Sequence, residues 1–303
     1  MFPIIPANSA ESFPKNDEGI FVFGHRTASP QNTDITNLVS NTGVVASDVT
    51  GVGTARQRLA GCEYGGDKGI VGFGWIDGGT FYSLTNLISN AGVVASDQAA
   101  STGTTRSFLA ACSYGGDKGI FGFGLNSSSV KTGVTNLVTN AGVVADDVAA
   151  VGTARDRPAA CEYGDDKGIF GFGNDGSPVD ITNLVSNAGV VASDVTGVGT
   201  ARNAPSACEY GDDKGIFYGE VSGTNYSNRV SNTGVLASDG QVAGDVRYAG
   251  AGCEYGQDKG IFGFGDSNPY TGISNLVTNA GVIGSDVAAV GTARGWVSAC
   301  SFN

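Results

Sequence analysis

Apolar residues in this chain come in short runs separated by glycine, asparagine and aspartate. Leu59 to Tyr64 is followed by Gly-Gly-Asp and then by Lys68 to Gly74, a run rich in Ile, Val and Phe. β-Branched and aromatic residues bounded by turn chemistry predict strands, and two such runs across a tight turn predict a hairpin. Further along, Asn86 to Ser89 and Val93 to Asp97 flank Asn-Ala-Gly, where Asn and Gly supply the positive φ of a tight connection. The pattern therefore predicts two successive hairpins, four short antiparallel strands in all.

The same pattern returns along the whole chain. The block at Cys62 to Gly74 recurs from Cys112, Cys161, Cys208 and Cys253, with a degenerate copy over Asp17 to Gly24. The block NLVSNTGVVASD at Asn37 recurs from Asn86, Asn136, Asn183, Asn228 and Asn275, and Gly-Thr-Ala-Arg or a variant ends at Arg56, Arg106, Arg155, Arg202, Arg247 and Arg294. Successive cysteines lie 50, 49, 47, 45 and 47 residues apart, a period typical of propellers and repeat arrays and near that of WD40 and kelch repeats. Four strands repeated six times predict an all-β, six-bladed propeller of four-stranded antiparallel blades, which leaves only short protected edges. Gly295 to Phe302 reads as a first strand without a second, and Glu18 to Gly24 as a second without a matching first. The C-terminal strand is thus expected to complete the first blade and close the ring, giving a leader over 1–16 and one propeller domain over 17–303.

Composition narrows the function. The 303 residues include 49 glycines and carry a formal net charge of −12, which argues against a nucleic-acid partner. No apolar run has the length of a membrane span, and the first residues lack the basic start and apolar stretch of an export signal. The six cysteines, Cys62, Cys112, Cys161, Cys208, Cys253 and Cys300, occupy equivalent first-strand positions, which favours reduced, buried thiols over disulfides, with a cysteine-ring metal site as the minor alternative.

The order of elements, with a small-residue first strand, Ile-Phe-Gly-Phe-Gly second, an Asn- and Asp-bearing hairpin and a closing Arg, resembles the kelch repeat over Asp17 to Phe302. It departs from that pattern in lacking the Gly-Gly doublet after the second strand and the Trp of the fourth. In texture it is similar to the NLVSNTGVVASDVTGVGTAR-type repeats of marine bacteriophage and environmental proteins. That resemblance implies a phage-encoded propeller, virion-associated or in the host cytoplasm, and no established activity.

Repetition of a charged residue favours a structural role. Glu63 with Lys68, Glu162 with Lys167, Glu209 with Lys214 and Glu254 with Lys259 are expected to pair across the first hairpin. The fourth-strand aspartates Asp48, Asp97, Asp194, Asp239 and Asp286 are expected to bracket the closing arginines. Asp165 with Asp166, and Asp212 with Asp213, are carboxylate pairs suited to calcium, without EF-hand spacing. Catalytic motifs are missing: the single histidine, His25, lies in a variable loop, and the G-x-G strings open no helix. No cofactor is implied.

Variation in length and identity concentrates between the second and third strands and after each closing Arg. Alternating strand directions bring these two sets of connections to one face. It carries Arg26, Arg58, Trp75, Phe81, Tyr82, Lys131, Arg157, Tyr226, Tyr270 and Trp296, aromatic and cationic residues of the kind that anchor ligands. The sequence thus favours a non-catalytic structural or recognition module binding a protein or surface glycan through these residues. The alternative is a glycan hydrolase or lyase using loop carboxylates.

Overall fold

The computed structural model describes residues 16–99 and 103–303. The expected leader lies outside the described residues except for Asn16, which is buried. Among the described residues the fold is all-β: six antiparallel sheets of three or four strands, with two further two-stranded ribbons. No helix of the described residues is long and apolar enough to cross a membrane.

Each sheet is built alike. A Cys strand such as Ala60–Tyr64 pairs with a Gly-Ile strand, Lys68–Gly72, which pairs with an Asn strand, Thr85–Ile88. Cys62 stands opposite Ile70, and Ile70 opposite Leu87. The first sheet takes its Cys strand from the other end of the chain, since Ser298–Phe302 pairs with Glu18–His25 and sets Cys300 opposite Ile20.

Fourth strands are shorter than the sequence predicts. Only one sheet has a fourth named strand, Gly240–Val242, while elsewhere the segment touches the Asn strand through isolated bridges such as Val39 with Val45 and Thr36 with Val49. A side chain of the Asn strand also holds this segment. Asn37 Nδ2 donates to the Ala46 carbonyl and to Asp48 Oδ1, both at 2.9 Å, and Asn228 makes the same two bonds to Ala237 and Asp239 in the sheet that has the fourth strand.

The core is divided among six clusters of buried residues, which draw on neighbouring sheets. Cys62 shows the packing. A Cβ built on Gly119, in the Gly-Ile strand of the next sheet, would lie 2.5 Å from the Cys62 sulfur, so only glycine admits this approach. The same contact joins Cys112 to Gly168, Cys161 to Gly215, Cys208 to Gly260, Cys253 to Gly19 and Cys300 to Gly69. All six thiols are free and buried, and burial raises their pKa. One cavity of about 50 Å³ is lined by residues 61–63, 111–113, 160–162, 207–209, 252–254 and 299–301, so all six Cys strands meet around it.

The closing arginines bind sheet to sheet. Arg56, fully buried, donates from Nε to the Phe73 carbonyl at 2.7 Å and from Nη2 to Asn86 Oδ1 at 2.8 Å, and its guanidinium lies over the Phe23 ring of the preceding sheet. Asp97 stands 3.7 Å from Arg56 and accepts from Thr54, as the expected bracket requires. Arg294 makes the equivalent bonds to Phe23 and Asn37, and Thr292 donates to Asp48, tying the end of the chain to its beginning.

The expected Glu–Lys pairs are corrected by the register. Lys68 stands opposite Tyr64, whereas Glu63 stands opposite Gly69 and so points to the other face of the hairpin. The lysines pair instead with the aspartate before them: Lys68 with Asp67, Lys167 with Asp166, Lys214 with Asp213 and Lys259 with Asp258. Asp166 and Asp213 also accept from Asn187 and Asn232, so each is held in the hairpin tips. Among the described residues no three His, Cys, Asp or Glu side chains are grouped to hold a metal ion.

Candidate functional site: an arginine and tryptophan cluster among the variable loops

Two residues after each closing arginine, the backbone turns to positive φ: Arg58, Phe108, Arg157, Ala204, Ala249 and Trp296 lie between 51° and 61°. Each N–H donates to the carbonyl of the equivalent residue in a neighbouring sheet. Phe108 donates to Arg58, Arg157 to Phe108, Ala204 to Arg157, Ala249 to Ala204, Trp296 to Ala249 and Arg58 to Trp296, at 2.7 to 3.1 Å. The seam is made by the backbone alone, so its chemistry is set by which side chain occupies each position. Arg58, Phe108 and Arg157 are neighbours, with Trp296 on the far side of Arg58, and the two buried alanines occupy the remaining positions.

The side chains form a stacked cluster. Both guanidinium carbons, of Arg58 and of Arg157, lie 4.3 Å from the centroid of the Phe108 ring. They also lie 5.6 and 5.8 Å from the Trp296 ring, and Arg58 stands 4.3 Å over Trp75. Phe108 meets Trp296 edge-on at 5.0 Å, and Tyr248 meets it at 6.0 Å. Such cation–π contacts hold a guanidinium without consuming its hydrogen-bond donors. Burial, and after it the like charge of Arg157, push the Arg58 pKa down. A cavity of about 70 Å³ opens among these residues and is lined further by Pro158, Pro205 and Gly250.

A polar array flanks the cluster. His25 Nε2 lies 3.3 Å from Asp77 Oδ2 and Nδ1 lies 3.0 Å from the Tyr270 hydroxyl. The carboxylate calls for a proton on Nε2, which leaves Nδ1 to accept from the phenol. Trp296 bonds to the same hydroxyl, and a Cβ on Gly295 would lie 2.8 Å from the Tyr270 ring, so this glycine makes room for it. Gln57 Nε2 donates to Asp77 and Asn32, whose amide also reaches Asp77. Burial, then Asp266, raise the Tyr270 pKa, so the phenol stays protonated and serves as a hydrogen-bonding group rather than a nucleophile. Beyond Asp77 a cleft of about 430 Å³ is lined by Thr27, Ser29, Gln31, Asn32 and Ile76.

Of the residues singled out by sequence, the structure brings together Arg58, Trp75, Arg157, Tyr270 and Trp296. The other five are not part of the stacked cluster. Arg26 donates to the Pro30 carbonyl within its own loop, and Phe81 stands opposite Trp75 in a two-stranded ribbon. Tyr82 is half-buried with its N–H on Gly74, and Tyr226 stands opposite Gln241 at a sheet edge. Lys131 bonds to Asn174 and lies 3.6 Å from Asp156, which also faces Arg157 at 3.5 Å. Sequence reasoning missed Phe108, Tyr248, His25 and Asp77. Phe108 had a usable signal, the offset from the closing arginine that it shares with Arg58, Arg157 and Trp296. No protein-family model matches the chain, and no curated protein does.

Proposed function

We propose that the chain is a six-bladed β-propeller, closed by its C-terminal strand, that acts as a non-catalytic recognition module binding a glycan at the Arg58–Trp296 cluster. Closure is supported by three sets of contacts that return to their start: the seam of six backbone bonds, the six Cys–Gly contacts and the pairing of Ser298–Phe302 with Glu18–His25. Truncation after Val297 tests it. Loss of that strand leaves Glu18–His25 with only Asn32–Val39 as partner, so the thermal midpoint falls and urea unfolding broadens. A truncated chain with an unchanged midpoint refutes the closed ring.

The observation that carries the glycan reading is the set of half-buried ring faces, Trp75, Tyr270 and Trp296, beside the fixed amides and carboxylate of Asn32, Gln57 and Asp77. A sugar offers an apolar face for stacking and hydroxyls for such polar groups, and rigid scaffolds concentrate binding in their loops. A glycan array probed with the protein and with Trp75→Ala and Trp296→Ala variants tests this reading. Saturable binding lost in both folded variants supports it, and binding retained in both overturns the placement.

A further inference from the structure

The six seam positions carry two arginines, two alanines, a phenylalanine and a tryptophan, and only Arg58 and Arg157 bring charge. Their guanidinium groups share the Phe108 ring, so two like charges are held close together in a chain whose net charge is −12. The Nε of each is buried without a hydrogen-bond partner. Asp156 faces Arg157 but also Lys131, and Asp77 is taken up by Asn32, Gln57 and His25. Neither carboxylate reaches the Nε atoms: Asp77 is held by other donors, and Asp156, whose Oδ1 has no hydrogen-bond partner of its own, meets Arg157 at 3.5 Å from Nη1. A group that bears negative charge and accepts several hydrogen bonds would relieve both the repulsion and the unused donors.

We propose that Arg58 and Arg157 bind the carboxylate of an acidic glycan of the uronic acid class, with the sugar ring resting outside the cavity against Trp75, Tyr270 and Trp296. This inference rests on the glycan reading above and adds the charge of the ligand. The cavity volume of about 70 Å³ admits a carboxylate but not a whole sugar, which is why the ring must lie on the aromatic faces.

Both tryptophans of the chain, Trp75 and Trp296, stand at this site, so intrinsic fluorescence reports on it directly. A glucuronate-containing tetrasaccharide should change the emission saturably. Its carboxyl-reduced analogue should bind at least about tenfold more weakly, as should Arg58→Gln and Arg157→Gln variants towards the acidic sugar, since a charge-assisted bond contributes about that factor. Unchanged thermal midpoints in the variants separate lost binding from lost folding, and Arg→Lys variants, which keep charge but lose the planar fork, cover any that fail to fold. Equal binding of acidic and reduced sugars overturns the carboxylate site while leaving the glycan reading intact. Binding of neither sugar overturns both. Tighter binding of polyglutamate than of the tetrasaccharide overturns the glycan in favour of an acidic peptide, and equal saturation by sodium sulfate reduces the site to a bare anion pocket.

Discussion

Replacing Gly119 by alanine tests the packing rule on which all six sheet interfaces rest. The added Cβ would stand 2.5 Å from the Cys62 sulfur and 3.1 Å from the Glu63 carbonyl oxygen, and Gly119 has no positive φ to complicate the change. Sulfur and carbon normally keep well over 3 Å apart, so one sheet must shift. Overpacking of this kind costs about 1 to 3 kcal/mol. Cys62→Ala removes the sulfur and costs about 1 kcal/mol in lost contact and cavity. In the double variant the clash with sulfur is gone while the approach to the Glu63 carbonyl remains. The combined loss should therefore fall short of the sum by about 1 kcal/mol, a coupling resolvable by urea denaturation of the four proteins. Gly284→Ala is the control: its nearest neighbour is the Leu276 carbonyl oxygen at 3.5 Å, five equivalent positions already carry alanine, and stability should hold or rise slightly. Additive losses for Gly119→Ala and Cys62→Ala, or a loss at Gly284→Ala as large as at Gly119→Ala, would refute the interlocking of cysteine with glycine.

Three further outcomes follow from the same geometry. Native protein should react with a thiol reagent only as fast as it opens, with six thiols titrating in denaturant, because burial both covers the sulfurs and raises their pKa; several thiols reacting at once in the native state would contradict this. Burial favours the neutral carboxyl at Asp48, Asp97, Asp147, Asp194 and Asp239, but hydrogen bonds from threonine and asparagine and the buried arginines outweigh it and hold these pKa values below the usual range. Their folded pKa being lower than the unfolded value of about 3.9, the stability they add is complete above that value and is lost as pH falls through the folded pKa; an unfolding midpoint that stays level from pH 6 to pH 2 would refute the role. Asn37→Ala should lower stability by about 1 to 3 kcal/mol, since it takes the acceptor from the buried Arg294 Nη2 and removes the bond to the Ala46 carbonyl, and a smaller change in the urea midpoint than for an exposed substitution such as Ser128→Ala would count against the clasp.

The repeated features were legible in the sequence because they are local or recur in register. Strand pairs read from the turn chemistry at Gly-Gly-Asp match Ala60–Tyr64 with Lys68–Gly72, and the equivalence of the cysteines pointed to buried thiols. Two local readings failed. The Glu63–Lys68 pair counted the turn without the alternation of strand side chains, which puts the two on opposite faces. The fourth strand was expected as a continuous ladder, whereas most of these segments touch the Asn strand only through isolated bridges such as Val39 with Val45 and Thr36 with Val49.

Sequence by itself determined the all-β class, the six equivalent units and five of the side chains that meet in the cluster. Tertiary structure alone decided which variable residues meet. Arg58, Phe108, Arg157 and Trp296 are far apart along the chain and become neighbours because the backbone seam joins equivalent positions of adjacent sheets, whereas Lys131 and Tyr226, equally attractive by type, sit at offsets that the seam does not reach. It also decided why cysteine and glycine recur together, since the contact of Cys62 with Gly119 lies between sheets and no periodicity within one unit reveals it. Periodicity records what each strand needs along its own length; distances between units depend on how the sheets pack, and only their coordinates supply that.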